Sequence, residues 1–268
     1  MVGLARKARD RANVGLTLAG RRDTLSELRT VRKIDGVSVI MCLPITWMHD
    51  IILILSVHKY EPKSDVNAVI QYYLNDGWII DACYRRFILA IDRVEGNPLF
   101  EPLQDLVQRV YTNERLNPLA SNYAAAFIAA NAATDLPRQL DFYNTHVRYA
   151  KERVVVIISD ALRYEVGQAL FARLTADEKC TVILSAMQSV LPSVTRLGMA
   201  ALLPHRNYTV VDADHATVDE LPTIDLLQRE AALQKARPLS RAVQFDEIRG
   251  MTQEQLRGVF ARQEVVYV

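Results

Sequence analysis

The sequence predicts an α/β fold in which a helical N-terminal region precedes a parallel β-sheet. Two observations support this prediction. Apolar residues recur at helical spacing between residues 61 and 150, and the pattern then changes to a continuous β-branched run, Val154–Ile158. Beyond that run, further apolar strands alternate with amphipathic helices, which is typical of an α/β sheet with short connections.

Five segments of the first region have the apolar spacing of helices. Aromatic side chains are interleaved among them without the basic residues that usually accompany stacking on nucleic acid, so we interpret this aromatic stripe as core. We expect Asp81, Arg85 and Arg86, on one of these helices, to pair at the surface and to do no chemistry. The predicted helices are Val66–Leu74, Ile79–Ile91, Leu103–Val110, Tyr123–Ala133 and Leu140–Tyr149.

The second region, residues 151–268, begins with a strand. Every residue of Val154–Ile158 is apolar, which is typical of a strand covered on both faces in a parallel sheet. Helices and strands then alternate, and the last four residues form another apolar, strand-like run. The further predicted elements are a helix at Leu162–Leu174, a strand at Cys180–Leu184, a helix at Thr195–Leu203, a strand at Tyr208–Val211 and the run Val265–Val268.

Composition excludes several classes of protein. The 268 residues have a formal net charge of +1, so no overall field favours nucleic acid or an acidic membrane. The three cysteines are far apart and form no metal-ligand pattern, which fits a reducing cytoplasm. No short apolar run follows the first basic residues, so we expect no secretory signal and a cytoplasmic location.

Residues 1–60 are not assigned to either region. Residues 1–33 hold nine basic and three acidic residues, which we interpret as a solvated helix surface, with nucleic-acid contact as the alternative. The stretch Val37–Val57 has the length of a membrane span, but Pro44 and Asp50 lie within it. We therefore predict two buried segments, with Ile51–Val57 as a strand, and not a membrane helix.

Asp160 is the first acidic residue after the predicted strand Val154–Ile158. Ligands of open parallel sheets bind beyond the carboxyl ends of the strands, so this position suits a metal ligand. Aspartate is also a favoured residue at the N-cap of a helix. The local sequence supports both interpretations equally.

Thr195 follows the chain-breaking pair Pro192 and Ser193 and begins a predicted helix. A hydroxyl at this position lies among free backbone N–H groups, which suits a nucleophile that attacks an anionic phosphoryl group. A nearby metal ion would lower the pKa of that hydroxyl. The alternative is that Ser193 or Thr195 simply caps the helix.

Together these segments resemble the PglZ family. The resemblance rests on VVVIISDALRYE at Val154–Glu165 and on LSAMQSVLPSVTRLGMAALLPH at Leu184–His205. It implies an alkaline-phosphatase-like core, and a metal-dependent phosphatase or phosphodiesterase of a bacterial BREX phage-defence system. It also implies two zinc ions, with Asp160 as a metal ligand and Thr195 as both nucleophile and ligand. Other proteins of the BREX complex would be its partners.

Further details of the resemblance bear on its extent. Pro192–Thr195 reads Pro-Ser-x-Thr and is similar to the Pro-Thr-x-Thr of nucleotide pyrophosphatases, where the second hydroxyl attacks, so we prefer Thr195 to Ser193. The segments YYLNDGWIIDACYRRF and YTNERLNPLASNYAAAF resemble the helical region that precedes this domain in type 1 BREX proteins. The resemblance thus extends from about Asp65 to Val268.

The sequence also departs from this superfamily. Two ligand clusters that the superfamily needs, Asp-x-x-x-His and a downstream Asp-His pair, are not found after Thr195 at the usual distance. We therefore expect a fragment that lacks the C-terminal half of the catalytic domain and is inactive by itself. The alternative function is a non-enzymatic assembly module that binds other defence proteins.

Two further sites near the motifs each have two possible roles. Arg163 lies one helical turn from Asp160 and either binds a phosphate oxygen or pairs with a helix carboxylate such as Glu165. Asp214 and His215 imitate the missing Asp-His pair. They lie close to Thr195 in sequence, so we interpret His215, like His205, as a surface residue, with metal ligation by Asp214 and His215 as the alternative.

Overall fold

The computed structural model describes residues 2–4, 48, 51, 60–94, 98–160, 162–177 and 181–268. The chain forms two compact units. The α/β unit contains Met1–Gly3, Leu136–Arg163 and Ser185–Val268, and the helical unit contains Leu4–Asp135 and Tyr164–Leu184. The helix that follows Asp160 is therefore grouped with the helices that precede residue 136.

The helical unit confirms three predicted helices to within two residues, while the helix predicted at Tyr123–Ala133 begins six residues earlier and ends at Ala129. Two of its helix junctions are π-helical turns, Tyr73–Gly77 and Tyr111–Leu116, and a 3-10 turn spans Pro98–Phe100. A fifth helix of this unit, which the sequence predicts at Leu162–Leu174, begins two residues later, at Tyr164. The helices are α1 (Val66–Tyr72), α2 (Trp78–Asp92), α3 (Glu101–Val110), α4 (Asn117–Ala129) and α5 (Tyr164–Thr175).

The core of the helical unit confirms that the aromatic stripe is internal. Phe87 is completely buried and packs with Ile51 and Val107, while Tyr111 is 7% exposed. Ile51 is helical, and the rest of the predicted strand Ile51–Val57 lies outside the described residues, as does the basic segment 6–33. In the part of the chain that the structure describes, no helix is long and apolar enough to cross a membrane.

Two of the charged residues that the sequence predicted to pair at the surface are half-buried in the helical unit. The Asp81 carboxylate accepts hydrogen bonds from the hydroxyls of Tyr73 (2.7 Å) and Tyr111 (3.1 Å). Arg85 lies 3.6 Å from Glu165, which is only 2% exposed. The expectation of surface pairing is therefore wrong for Asp81, which binds tyrosine hydroxyls. It holds in part for Arg85, whose side chain is 40% exposed but whose partner carboxylate is buried.

Among the described residues of the helical unit, Arg115 is a fully buried cation, with 1% of its surface exposed. Its guanidinium donates to the backbone carbonyl of Gly77 (2.8 Å) and to the hydroxyl of Tyr72 (3.3 Å). The same group lies over the Tyr72 ring, 5.3 Å from its centroid. Because the Gly77 carbonyl belongs to the π-helical turn between α1 and α2, Arg115 ties α4's N-terminal end to that turn.

The described strands are β1 (Val2–Leu4), β2 (Val154–Val156), β3 (Leu184–Ala186), β4 (Tyr208–Val210), β5 (Ala216–Val218), β6 (Leu221–Pro222), β7 (Ser240–Ala242) and β8 (Val265–Tyr267). Three of them form a parallel sheet of the α/β unit in the order β2-β8-β7. Val154 pairs with Val265 in β8, and Val265 pairs on its other side with Ser240 in β7. A separate antiparallel sheet has the order β4-β5-β6, and β1 pairs with β3.

The core of the α/β unit joins residues of the parallel sheet to residues of a helix, Leu226–Ala236. Leu202, Leu233 and Val265 are completely buried in one apolar cluster. The segment predicted as a helix at Leu140–Tyr149 is instead a 3-10 turn, Gln139–Asp141, and a π-helical turn, Tyr143–Val147. The helices are α6 (Thr195–Ala201), α7 (Leu226–Ala236), α8 (Phe245–Ile248) and α9 (Gln253–Phe260).

The predicted α/β class is confirmed, with two corrections to its sheet. The strand predicted at Tyr208–Val211 is antiparallel, because a hairpin returns directly into β5. The strand β2 is also not covered on both faces. It lies at an edge of the described parallel sheet, where Val155 is 53% and Ile157 74% exposed.

Gln139 connects three parts of the α/β unit and is only 4% exposed. Its side-chain amide donates to the carbonyl of Gly198 in α6 (3.1 Å) and accepts from the N–H of Val190 (3.1 Å). A Cβ atom at Gly198 would lie 3.2 Å from the Gln139 amide nitrogen, so glycine permits this close approach. Gln139 therefore fixes α6 and the loop that leads into it.

We predict that Arg115→Ala destabilises the helical unit by about 2–3 kcal/mol, because hydrogen bonds from a buried charged group are lost. Urea unfolding followed by tryptophan fluorescence measures this, since both tryptophans, Trp47 and Trp78, precede residue 136. Arg109→Ala, at an exposed position of α3, is the matched control and should change stability by no more than about 0.5 kcal/mol. Equal effects of the two substitutions would contradict the assigned role of Arg115.

We predict that Gln139→Leu destabilises the α/β unit by about 1–3 kcal/mol, because it leaves the buried N–H of Val190 without a partner. Hydrogen exchange of the peptide that contains Val190 should become faster, while exchange in α9 stays unchanged. Gln253→Leu, at an exposed helix position, controls for the loss of a glutamine. Unchanged protection around Val190 would show that Gln139 does not fix this loop.

Candidate active site

Asp160 lies four residues beyond Val156, the last residue of the strand β2. Backbone pairing with β8 continues past β2, since Ile158 donates its N–H to the carbonyl of Val268 at 2.8 Å. Asp160 lies in the exposed turn that comes next. Because α5 begins only at Tyr164, four residues further on, Asp160 does not act as its N-cap.

Thr195 is the first residue of α6, as its sequence pattern predicts. The N-cap of this helix is Val194, and no side chain makes a capping hydrogen bond to it. The hydroxyls of Ser193 and Thr195 therefore do not cap α6. The loop before the helix contains a cis peptide bond between Leu191 and Pro192.

The structure brings the two predicted site residues together. The Thr195 hydroxyl donates a hydrogen bond to one carboxylate oxygen of Asp160, with 3.1 Å between the oxygen atoms. Both residues are exposed, so a phosphoryl ester and metal ions can reach them. Two oxygens bound to one tetrahedral zinc ion lie about 3.3–3.6 Å apart. The Thr195 and Asp160 oxygens, at 3.1 Å, would need to move apart only slightly to bind one zinc ion together.

Arg163 is exposed, and among the described residues its side chain forms no hydrogen bond or ion pair with Asp160 or Thr195. The alternative interpretation, in which Arg163 pairs with Glu165, is wrong. Glu165 is buried and its ion-pair partner is Arg85. A role of Arg163 in holding a phosphate oxygen stays a prediction.

A cluster at the tip of the hairpin between β4 and β5 contains Asp214 and His215 and adds Asp212, which the sequence analysis missed. Their potential ligand atoms lie within 4.8 Å of one another. The His215 ring nitrogen Nδ1 is 2.7 Å from Asp212 and 3.3 Å from Asp214. The hydrogen bond from His215 is the main reason that the pKa of Asp212 is lowered below its usual value.

The same hairpin reaches the helix that carries Thr195. Arg196, the next residue, donates to the Asp214 carboxylate at 2.6 Å. One oxygen of Asp214 is thus already paired with a cation, and Asp212 also accepts from the backbone N–H groups of Asp214 and His215. These contacts account for the compact hairpin tip. The short spacing Asp212-x-Asp214-His215 is the sequence signal by which the cluster is recognisable.

Comparison with known proteins identifies the segment that holds Asp160 and Thr195. The PglZ family, described as the BREX system PglZ alkaline phosphatase-like domain, matches residues 142–268. The alkaline phosphatase-like protein PglZ of Bacillus cereus (strain H3081.97) is 36% identical over 196 residues, which cover 70% of this chain and 23% of that protein. No solved structure matches.

A second relative extends the comparison. The alkaline phosphatase-like protein BrxZ of Escherichia coli O9:H4 (strain HS) is 30% identical over 210 residues, which cover 73% of this chain and 24% of that protein. The chain thus spans about a quarter of the length of the curated relatives it matches. Residues 142–268, with Asp160 and Thr195 in hydrogen-bond contact, are therefore a PglZ-family alkaline phosphatase-like domain.

Proposed function

We propose that this chain supplies the nucleophile and the first metal ligand of a metal-dependent phosphatase or phosphodiesterase in a BREX-type phage-defence system. The observation that supports this most directly is the 3.1 Å hydrogen bond between the Thr195 hydroxyl and the Asp160 carboxylate. A threonine hydroxyl is a weak nucleophile unless a base or a cation lies beside it. Asp160 occupies the position from which it can hold both the proton and such a cation.

In the proposed reaction, the Thr195 oxygen attacks the phosphorus atom as its proton leaves. A bond forms between that oxygen and phosphorus, the bond to the leaving alcohol breaks, and the alcohol departs with a proton. Water then cleaves the phosphothreonine and regenerates the hydroxyl. Divalent metal, proposed as two zinc ions with Asp160 and Thr195 among their ligands, would lower the pKa of the hydroxyl and neutralise the phosphoryl charge. Arg163 would bind a phosphoryl oxygen.

Ligand number suggests that the 268-residue chain by itself is inactive. A catalytic zinc ion usually has three protein ligands. Asp160 and Thr195 supply two oxygen donors, and Asp214 is already paired with Arg196 at 2.6 Å. We propose that the remaining ligands are Asp and His residues other than Asp214 and His215.

The wider organisation is also a proposal. Residues 61–150 would form the helical region, and residues 151–268 part of the phosphatase domain, preceded by the unassigned residues 1–60. The protein would act in the cytoplasm with other BREX proteins, and the basic segment 1–33 could contact nucleic acid. The family match supports the BREX assignment.

A second candidate function is a binding module that assembles with other defence proteins. The exposed apolar side chains of Val155 in β2 and of Ile157 just after it favour this function, because apolar residues at a sheet edge are ready to pack against a partner. The two functions are compatible within one protein. Phage resistance would depend on the Thr195 hydroxyl if the enzymatic function is the one required, and would not depend on it if binding alone is required.

We predict that Thr195→Val lowers turnover by about 10³-fold or more, because the attacking oxygen is removed while the side-chain volume is kept. The measurement is hydrolysis of a generic phosphodiester and a phosphomonoester by the full-length gene product with added zinc. Ser193→Ala is the matched control, since it removes a hydroxyl two residues away, and it should keep turnover within about twofold of the parent.

Two results would overturn parts of this proposal. Full turnover by Thr195→Val, or its loss in Ser193→Ala, would show that Thr195 is not the nucleophile. Zinc-dependent turnover by the 268-residue chain that disappears in Asp214→Asn would show that the hairpin cluster supplies the missing ligands.

A further inference from the structure

A cavity of the α/β unit with a volume of about 510 Å³ lies away from Thr195. Pro204 and His205 line it, beyond the C-terminal end of α6 at Ala201, whereas Thr195 begins that helix. Seven helical residues span about 10 Å, so α6 separates the cavity from the candidate active site. The mechanism proposed for Thr195 does not use this cavity.

The rim of the cavity is strongly basic. It carries Arg148, Arg206, Lys235 and Arg237 together with His205, against one carboxylate, Asp219. Within the described part of the chain, the side chains of Arg206 and Lys235 form no hydrogen bond or ion pair. These two cations are therefore available for an anion.

Arg237 is held in place by the protein itself. One of its guanidinium nitrogens donates to the carbonyls of Arg148 and Ala150, each at 3.0 Å, and the other lies 3.7 Å from Glu264. Arg237 is therefore a fixed part of the cavity wall. The side chains of Arg206 and Lys235 are exposed and can change conformation to contact a ligand.

The single carboxylate on the rim does not cancel this charge. Asp219 accepts hydrogen bonds from the backbone N–H groups of Asn207 (2.8 Å) and Arg206 (3.0 Å). These bonds, above all that from Asn207, lower the pKa of Asp219, and the charges of Lys235 and His205 add to the effect. Asp219 therefore shapes the hairpin between β5 and β6 and leaves the rim with a net positive charge.

The floor of the cavity is apolar. Tyr143, Val218 and Ala232 are buried at 5%, 1% and 3% exposure, and Leu221 and Ala236 line the same surface. Burial raises the pKa of Tyr143, although the nearby charges of Arg237 and Arg148 act in the opposite direction. Cations at the rim and an apolar floor suit a ligand that has an anionic end and a flat, weakly polar body.

We propose that this cavity binds the phosphate of a nucleotide-sized ligand, with Arg206 and Lys235 at the phosphate and the base over the apolar floor. A volume of about 510 Å³ exceeds what inorganic phosphate fills and lies within the range of small-ligand pockets. The shared chemistry is a phosphorylated nucleoside, which comes either from a free nucleotide or from the phosphorylated end of a nucleic acid strand.

The test uses calorimetric titration of the 268-residue chain, freed of metal and carrying Asp160→Asn and Thr195→Val, so that the candidate active site does not contribute. The probes are adenosine monophosphate, adenosine, inorganic phosphate and a short 5′-phosphorylated single-stranded oligonucleotide. Adenosine monophosphate should bind saturably, and adenosine and phosphate should each bind about tenfold or more weakly. If the oligonucleotide binds more tightly than adenosine monophosphate, the natural ligand is the phosphorylated end of a strand. If it binds equally or more weakly, the natural ligand is a free nucleotide.

Charge reversal gives the decisive comparison. Arg206→Glu with Lys235→Glu should weaken binding of adenosine monophosphate by about tenfold or more, and the milder Lys235→Gln should weaken it by less. Arg249→Glu with Arg257→Glu changes the net charge equally at exposed positions outside the cavity and should leave affinity within about twofold. Circular dichroism verifies that each variant folds. No saturable binding of any nucleotide probe, or equal loss in the control pair, would overturn the proposal.

Discussion

The parallel pairing of β2 with β8 is the constraint on which the candidate active site depends. The strand β8 is almost fully buried, with 0%, 1% and 4% exposure along Val265–Tyr267. On one side it aligns β2, and the pairing continues to Ile158, just before Asp160. The Tyr267 hydroxyl also donates to the carbonyl of Leu202 at 2.8 Å, next to the end of α6. One strand thus contacts both segments that carry the proposed catalytic pair.

The sequence predicts the local elements of this site but not how they meet. The β-branched runs at residues 154–158 and 265–268 are strong strand signals, and the proline-serine break before Thr195 marks the start of α6. The order β2-β8-β7 joins residues more than a hundred positions apart, and no local pattern encodes such a pairing. The strand β7, Ser-Arg-Ala, has no apolar alternation from which a strand is recognisable.

The sequence also does not reveal which polar residues make tertiary contacts. Gln139 acts through Gly198 and Val190, which lie over fifty residues away, so its importance appears only after folding. In the helical unit, Asp81 has the spacing of a surface carboxylate, yet two tyrosine hydroxyls donate to it. A half-buried carboxylate such as Asp81 is tolerated when its oxygens receive hydrogen bonds, which helical periodicity does not reveal.

The hydrogen bond from Thr195 to Asp160, within the segment that matches the PglZ family, supports our central proposal that Thr195 forms the covalent phosphoryl intermediate. The most direct measurement is an acid quench of the full-length gene product during turnover of a phosphodiester with zinc, followed by peptide mapping with mass spectrometry. The account predicts one phosphoryl group on the peptide that contains Thr195, located on that residue. Phosphorylation of Ser193, or turnover with no phosphorylated peptide at early times, would contradict it.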